Sequence, residues 1–146
     1  MKDILTRGVA EIINRNHLEK ALKSRKKLRV KLGIDPTAPD LHLGHAVVLR
    51  KLKQFQDLGH QIVLIIGDFT AQIGDPSGRS EERKPLTKKE IEKNLKTYLS
   101  QAGKIINVKK AEIRRNSDWH GGKMFAANFI RTTQSVTLQQ ITVRDD

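Results

Sequence analysis

The chain has 146 residues, of which 37% are hydrophobic and 30% are charged, and this balance fits one folded domain and excludes a disordered segment. It contains no cysteine, which excludes a disulfide framework and a thiolate zinc site. No apolar run reaches the length of a membrane span, and the N-terminus lacks an apolar signal region, so we expect a cytoplasmic protein with no membrane partner.

The first half of the sequence predicts helix, strand, helix and strand in that order. Apolar residues in 8–23 recur at helical spacing, which indicates one or two amphipathic helices interrupted near 14–16. Residues 28–34 alternate between apolar and polar side chains, the period-two pattern of a strand. Helical spacing returns after a loop and ends at Gly59, a good residue to follow a helix. The run 62–66 is continuously apolar, as in a strand buried on both faces of a parallel sheet.

The second half continues the same alternation. Thr87 and Glu90 have the spacing of a capping box, and the apolar stripe after them is expected to face the core as far as Gly103. Residues 111–115 are predicted to form a third strand, and 123–133 have helical spacing. Strands that alternate with helices predict an α/β fold with a parallel sheet and flanking helices.

The charge balance bears on possible partners. The net charge of +12 arises from 28 lysine and arginine residues against 16 acidic residues. Such an excess favours a polyanionic partner such as nucleic acid, although a solvated basic surface accounts for it equally well. Aromatic residues make up only 4% of the chain, which argues against a base-stacking sheet surface. Charge alone therefore leaves both interpretations open.

The clearest candidate site is the stretch 33–45 (GIDPTAPDLHLGH), where the first strand gives way to a helix. Unpaired amides and the dipole at a helix N-terminus favour an anion. His42 and His45 flank Gly44, which lets a ligand approach the backbone, and the preceding loop carries Thr37. We therefore predict that a nucleotide phosphate binds at this turn, with the two imidazoles as donors.

A second candidate loop follows the apolar strand. Residues 67–83 (GDFTAQIGDPSGRSEER) start at the carboxyl edge of the sheet, where open α/β sheets bind their ligands. Asp68 and Asp75 are candidates to hold an ammonium group or a ribose hydroxyl, and Arg79 and Arg83 are candidates to fold over phosphates. The GDPSG run within this loop is equally compatible with an ordinary turn.

Four stretches in order, GIDPTAPDLHLGH, IIGDFTAQIGDPSGRS, NSDW and TLQQITVRDD, resemble the N-terminal half of the bacterial tyrosyl-tRNA synthetases, which are class I aminoacyl-tRNA synthetases. The resemblance covers roughly residues 4–146. HLGH alone would indicate only the wider class I and nucleotidyltransferase superfamily. The resemblance implies a partial Rossmann-like (HUP-type) sheet and three regions: a helical segment at 1–27, a nucleotide-binding half at 28–121, and the start of a connecting helical segment at 122–146.

The resemblance also implies roles for individual residues. HLGH matches the family's HIGH sequence, so the residues expected to act in catalysis are His42, His45 and Thr37. The residues expected to bind ATP or its pyrophosphate are Gly33, Asp35, Gly44, Arg79 and Arg83. The residues expected to bind or buttress tyrosine are Lys31, Thr70, Asp75 and Asn116. Lys31 stands where some family members have a tyrosine that contacts the substrate hydroxyl.

The implied activity is ATP-dependent activation of tyrosine to tyrosyl-adenylate, followed by transfer to tRNA(Tyr). Such chemistry needs positioning and charge stabilisation, with Mg²⁺ expected on the phosphates of ATP and no metal site built by the protein alone. A homodimer through 122–146 is also implied. Because the KMSKS loop and the anticodon-binding domain of the family are missing from this sequence, we expect the activity of the chain to be incomplete.

Three alternatives remain at this point. A small nucleotidyltransferase of the pantetheine-phosphate type also pairs a DP turn with a GH pair, but the spacing from Pro36 to Gly44 is longer than in that family, and GDPSGR is unexplained. The second alternative is a non-catalytic basic fragment that binds RNA or dimerises. The third is a metal site on His42 and His45, which lacks a third ligand at a suitable spacing.

Overall fold

The computed structural model describes residues 2–24, 26–73 and 86–120. The α-helices in this part of the chain are α1 (Arg15–Lys23), α2 (Leu43–Asp57), α3 (Thr70–Ile73), α4 (Lys88–Ala102) and α5 (Ser117–His120). The strands are β1 (Arg29–Ile34), β2 (Gln61–Ile66) and β3 (Glu112–Arg115). Short 3₁₀ turns lie at Lys2–Leu5 and Val108–Lys110. None of the helices in these described ranges has both the length and the apolar character needed to cross a lipid bilayer.

The strands form one parallel sheet in the order β1–β2–β3. β1 and β2 pair from Arg29 opposite Gln61 to Ile34 opposite Ile66. β3 pairs on the other side of β2, with Arg115 opposite Ile66. The three strands therefore end level with one another, and the segments that follow them meet at one edge. This arrangement confirms the predicted α/β fold with a parallel sheet and flanking helices.

One face of the sheet packs against α2 and α4 and forms the hydrophobic core. The central strand contributes Ile62, Leu64 and Ile66, each at most 2% exposed, and Val63 on the opposite face is also buried. The helix side chains in the same core are Leu49, Leu52, Leu95 and Ala102. Fully burying an aliphatic side chain of this size contributes roughly 1.5–3 kcal/mol. This packing holds the carboxyl edge of the sheet in a fixed position relative to the starts of α2 and α4.

Two helix boundaries confirm their sequence signals. At the start of α4, Thr87 Oγ1 accepts from the Glu90 N–H at 3.3 Å, and Glu90 Oε2 accepts from the Thr87 N–H at 2.9 Å. This is the predicted capping box. Gly59 follows α2 with a φ of 85°, a left-handed conformation that glycine adopts without strain.

The N-terminal prediction is only partly correct, because residues 8–14 are not α-helical and α1 begins at Arg15. Asn14, the residue before the helix, has a φ of 58°, and Gly8 has a φ of 65°. Left-handed backbone at these two positions prevents a right-handed helix from continuing through them. The interruption predicted near 14–16 is therefore a helix start.

The loop predicted at 67–83 also differs from expectation, since its first part contains the single helical turn α3. The Ala71 N–H donates to Gly67 O at 2.9 Å, which closes this turn immediately after β2. The third strand is one residue shorter than predicted. The helix predicted at 123–133 lies outside the described residues.

Candidate functional site

Three side chains join the ends of the three strands at the carboxyl edge of the sheet. Thr70 Oγ1 donates to Asp35 Oδ1 at 2.9 Å, and Asn116 Nδ2 donates to Thr70 Oγ1 at 3.0 Å. Asn116 is itself held, because its Oδ1 accepts from the Phe69 N–H at 2.8 Å and its own N–H donates to Ile66 O at 2.9 Å. One hydroxyl group therefore links the segments that follow β1, β2 and β3. The network brings together three of the residues that the sequence predicted for the site.

Gly67, the first residue after β2, makes this network sterically feasible. A Cβ atom at this position would lie 1.6 Å from Asp35 Oδ1 and 2.4 Å from Thr70 Oγ1. The Gly67 N–H also donates to Ile34 O at 2.9 Å, which holds this backbone beside the end of β1. Any larger residue would therefore displace Asp35, Thr70 or both.

The first turn of α2 is capped by the two histidines of the HLGH motif. The Gly44 N–H donates to His42 Nδ1 at 3.1 Å, and the His42 N–H donates to His45 Nδ1 at 3.3 Å. A neutral imidazole that accepts at Nδ1 carries its proton on Nε2. Within the described residues neither Nε2 has a hydrogen-bond partner. The turn therefore offers two Nε2–H donors beside the unpaired amides of a helix N-terminus.

The electrostatic environment keeps His45 in its neutral form. Burial lowers the pKa of His45 below its ordinary value of 6.5, and repulsion from His42 lowers it further. The His42 and His45 ring centroids are 3.9 Å apart, and the Tyr98 and His45 ring centroids are 5.8 Å apart in an edge-to-face arrangement. The lowered pKa favours the neutral imidazole at pH 7, which has an Nε2–H to donate.

Gly44 also has a local packing role beside His42. It was expected to let a ligand approach the backbone, and that expectation stays a prediction. The structure adds that a Cβ at Gly44 would lie 2.9 Å from His42 Cε1 and 3.0 Å from His42 Nδ1. The missing side chain leaves space for the His42 ring to fold back onto the helix.

The other predicted residues near β1 are less closely connected. The Thr37 N–H donates to Asp35 O at 2.8 Å, so Thr37 follows a tight turn at the edge. Gly33 lies in β1 opposite Ile65. Lys31 lies on the face of the sheet away from α2 and α4, three residues before the strand ends, in a concavity that Trp119 also lines. In the described part of the chain, no hydrogen bond joins Lys31 to the edge network.

The remaining predicted site residues lie outside the described residues. They are Asp75, Arg79 and Arg83. The connecting segment at 122–146, predicted to form a dimer interface, also lies outside them. The roles of all these residues stay predictions.

Asp68 was a candidate to bind an ammonium group or a ribose hydroxyl, but its carboxylate is occupied within the chain. It accepts from the Ser117 N–H at 3.0 Å and from Ser117 Oγ at 2.7 Å, and Arg115 lies 3.5 Å away. Burial raises the pKa of Asp68, but the hydrogen bonds from Ser117 and the charge of Arg115 outweigh it and hold this pKa below its ordinary value. Arg115 is also paired with Glu92 of α4. Asp68 therefore ties β2 to the start of α5.

Sequence reasoning missed three residues that shape the site: Gly67, Asn94 and Gln101. The signal for Gly67 was a glycine directly after a continuously apolar strand. Asn94 and Gln101 are polar residues flanking the apolar stripe of α4, and both hydrogen-bond the loop between β1 and α2. Their spacing along α4 shows a shared face but gives no information on what that face contacts.

The described residues add no third ligand to the metal site considered at His42 and His45. In the ranges 2–24, 26–73 and 86–120, no three histidine, cysteine or acidic side chains converge as metal ligands would. His42 and His45 each already accept a backbone N–H at Nδ1. The arrangement is suited to hydrogen-bond donation toward an anion.

Known proteins similar to this chain point to one family. The sequence model described as tRNA synthetases class I (W and Y) matches residues 23–146. A tyrosine–tRNA ligase of Thermotoga maritima is 54% identical over 143 residues, which cover 98% of this chain and 35% of the relative. Tyrosine–tRNA ligase 2 of Photorhabdus laumondii is 58% identical over 126 residues, which cover 86% of this chain and 31% of the relative. The chain thus spans about a third of the length of these curated relatives.

The fold comparison agrees with the sequence match. The crystal structure of a tyrosyl-tRNA synthetase from Archaeoglobus fulgidus, complexed with L-tyrosine, superposes with a TM-score of 0.72 at 20% identity. The superposition covers 94% of this chain and 40% of that chain, and at this identity it concerns the fold alone. It confirms the partial Rossmann-like sheet. Since the family match extends over most of the sequence, the chain belongs to the class I tRNA synthetases of the tryptophan and tyrosine (W and Y) family.

Proposed function

We propose that this chain carries the ATP-binding and tyrosine-activating half of a tyrosine–tRNA ligase. The observation that carries the proposal is the first turn of α2, where His42 and His45 accept backbone N–H groups at Nδ1 and keep Nε2–H for a ligand. This turn is the positive end of a 15-residue helix, where the dipole and the free amides favour phosphate. The names of the curated relatives, which are tyrosine–tRNA ligases, support the choice of amino acid.

In the proposed reaction, the carboxylate of tyrosine attacks the α-phosphorus of ATP, which forms tyrosyl-adenylate and releases pyrophosphate. Negative charge grows on the phosphate oxygens, and donors fixed in advance stabilise it without reorganisation. Thr37 assists at the γ-phosphate, Gly33 and Asp35 lie beside the adenylate, and Arg79 and Arg83 bind pyrophosphate. Mg²⁺ would accompany the phosphates, in keeping with its preference for phosphate oxygens and water.

The substrate tyrosine is proposed to bind at the carboxyl edge of the sheet. Asp75 would hold its ammonium group, and Lys31 would approach its phenol hydroxyl. The hydrogen bond between Thr70 and Asn116 supports a buttressing role for this pair, because it fixes both side chains where the second and third strands end.

The tyrosyl group is then proposed to pass to tRNA(Tyr). The net charge of +12 favours such a polyanionic partner. We also propose a cytoplasmic location and a homodimer formed through 122–146. The proposed division of the chain is a helical segment at 1–27, a nucleotide-binding half at 28–121 and a connecting segment at 122–146.

Tyrosine-dependent exchange of labelled pyrophosphate into ATP tests this function. We expect exchange by the 146-residue chain only when tyrosine is present, and a loss of at least about 100-fold when His42→Ala and His45→Ala are combined. His17→Ala is the matched control, because it removes an exposed histidine of α1. A chain that neither binds ATP nor exchanges pyrophosphate, or an exchange rate independent of both imidazoles, would show that the proposal is wrong.

A further inference from the structure

We propose that two amide side chains of α4, Asn94 and Gln101, are positioning residues that hold the loop between β1 and α2 in its phosphate-binding shape. The identity of the ligand that the loop binds rests on the proposed function. The positioning itself rests on hydrogen bonds between described residues.

Gln101 contacts the end of the loop with both its acceptor and its donors. Its Oε1 accepts from the Leu41 N–H at 2.9 Å. Its Nε2 donates to Asp40 Oδ1 at 3.0 Å and to Pro39 O at 3.3 Å. One amide thus holds three consecutive residues. Because Leu41 directly precedes His42, these bonds fix the backbone from which the first imidazole projects.

Asn94 contacts the start of the same loop. Its Nδ2 donates to Pro36 O at 3.0 Å, and Asn94 is 9% exposed, while Pro36 is fully buried. The bond satisfies a carbonyl group that would otherwise be buried without this donor. Since Pro36 lies between Asp35 and Thr37, the bond holds the backbone of two predicted site residues.

The two amides act together because they lie seven residues apart, which places them on the same face of α4 two turns from each other. Tyr98 lies between them, and its ring packs edge-to-face with the ring of His45 at 5.8 Å between centroids. One face of one helix therefore contacts the loop at its start, the loop at its end, and the first turn of α2. The helix serves as a rigid template for all three.

The loop has reason to depend on such outside contacts. Pro36 and Pro39 have no N–H group and cannot donate hydrogen bonds of their own. Within the loop, the Thr37 N–H donates to Asp35 O at 2.8 Å and forms one tight turn. The amides of α4 supply partners for backbone groups on both sides of this turn.

The test replaces Gln101→Met, which keeps the length of the side chain and removes its hydrogen bonds. We expect the dissociation constant of the 146-residue chain for ATP to rise about tenfold, as for the loss of roughly one net hydrogen bond. The KM for ATP should rise while the KM for tyrosine stays unchanged. We also expect the NMR signals of the His42 and His45 rings to move.

Ser100→Ala is the matched control, because it alters the neighbouring, exposed position of α4. It should leave both the ATP affinity and the ring signals at their wild-type values. Single His42→Gln and His45→Gln variants assign the two rings among the five histidines. Ring signals and ATP affinity that are unchanged in Gln101→Met overturn the positioning role.

The ring signals also separate this proposal from the proposed function. If the wild-type chain does not bind ATP but the rings move in Gln101→Met and not in Ser100→Ala, the positioning role stands and the proposed function is wrong. Should Gln101→Met fail to fold, Gln101→Glu takes its place. It keeps the acceptor for the Leu41 N–H and loses both donors to Pro39 and Asp40, so the same readouts decide.

Discussion

α2 and α4 each begin with two side chains that accept backbone N–H groups of the first turn, but the side chains differ. At α4, Thr87 and Glu90 form the pairing that helix N-termini prefer. At α2, His42 Nδ1 accepts from the Gly44 N–H and His45 Nδ1 accepts from the His42 N–H, although histidine is not among the preferred capping residues. Both helices satisfy their first amides equally, so capping alone does not account for the choice of histidine.

The difference lies in what each pair leaves available. Glu90 Oε2 also accepts from Thr87 Oγ1 at 2.6 Å, so that pair closes on itself, and an ionised carboxylate has no donor to offer. Each imidazole has a second nitrogen, which presents Nε2–H to the outside. The start of α4 therefore uses its side chains for capping alone, whereas the start of α2 also presents two Nε2–H donors, which the proposed function assigns to an anion.

The largest effect is expected when α2 is given the capping pair of α4. We expect the double variant His42→Thr with His45→Glu to give α2 an ordinary capping box and to keep the free energy of unfolding within about 1 kcal/mol of wild type. Pyrophosphate exchange should fall by at least about 1000-fold, because two donors are lost and a carboxylate is placed near phosphate. Urea unfolding and exchange assays on the same preparations measure both quantities. Exchange that survives the swap would show that the imidazoles serve only as caps.

Gly44→Ala separates the stability of α2 from the position of the His42 ring. The new Cβ would lie 2.9 Å from His42 Cε1, so the ring must move, although alanine is the better helix former by about 1 kcal/mol. We expect unchanged or higher stability in denaturant unfolding and about tenfold weaker ATP binding in calorimetry, the loss expected when one donor is misplaced.

Lys89→Ala alters the corresponding second helical position of α4 and provides the control. It should change neither stability nor ATP affinity measurably. Wild-type ATP affinity in Gly44→Ala would mean that the position of the His42 ring is unimportant for binding.

The smallest expected effect is a difference in pH dependence between the two caps. Hydrogen bonds from Thr87 lower the pKa of Glu90, so its contribution to stability is complete above pH 4.5 and is lost as the pH falls through the lowered value. Burial and His42 lower the pKa of His45, so the unfolded chain binds its proton more readily. Its contribution is therefore complete above pH 6.5 and declines below it.

Urea unfolding midpoints measured from pH 7.5 to pH 4 test whether the His45 contribution to stability declines at a higher pH than the Glu90 contribution. His45→Gln should flatten the decline that begins near pH 6.5, and Thr87→Ala should flatten the decline below pH 4.5. A midpoint that is insensitive to His45→Gln throughout this range would contradict the assigned environment of that ring.

The elements that local patterns govern are the ones that sequence predicts well. The alternation in β1, the apolar run of β2 and the Thr87–Glu90 cap each depend on neighbouring residues, and each is confirmed. The start of α1 was misjudged because apolar spacing does not reveal the left-handed backbone at Gly8 and Asn14. Periodicity reports which face is apolar, but it does not report where the chain departs from helical geometry.

The contacts that build the site could not be predicted from local sequence patterns, because they join residues far apart in the chain. Thr70 meets Asp35 across 35 residues and Asn116 across 46, and Gln101 meets Leu41 across 60. The family resemblance placed Asp35, Thr70 and Asn116 at the carboxyl edge of the sheet, but it did not show which of them hydrogen-bond to one another. Asp68 illustrates the limit, because its position suggested a ligand-binding role while Ser117 and Arg115 occupy its carboxylate.

The single hydroxyl that connects all three strand ends has a consequence for protein engineering. Under the proposed function Thr70 buttresses the tyrosine site, which makes it a natural position to vary when the amino-acid preference is to be altered. Removing its oxygen would at the same time detach Asp35 from Asn116 and loosen the loop that leads toward the histidines. If the proposed function holds, substrate preference and the alignment of the nucleotide side are coupled through one atom, and redesign of the first requires compensating changes in the second.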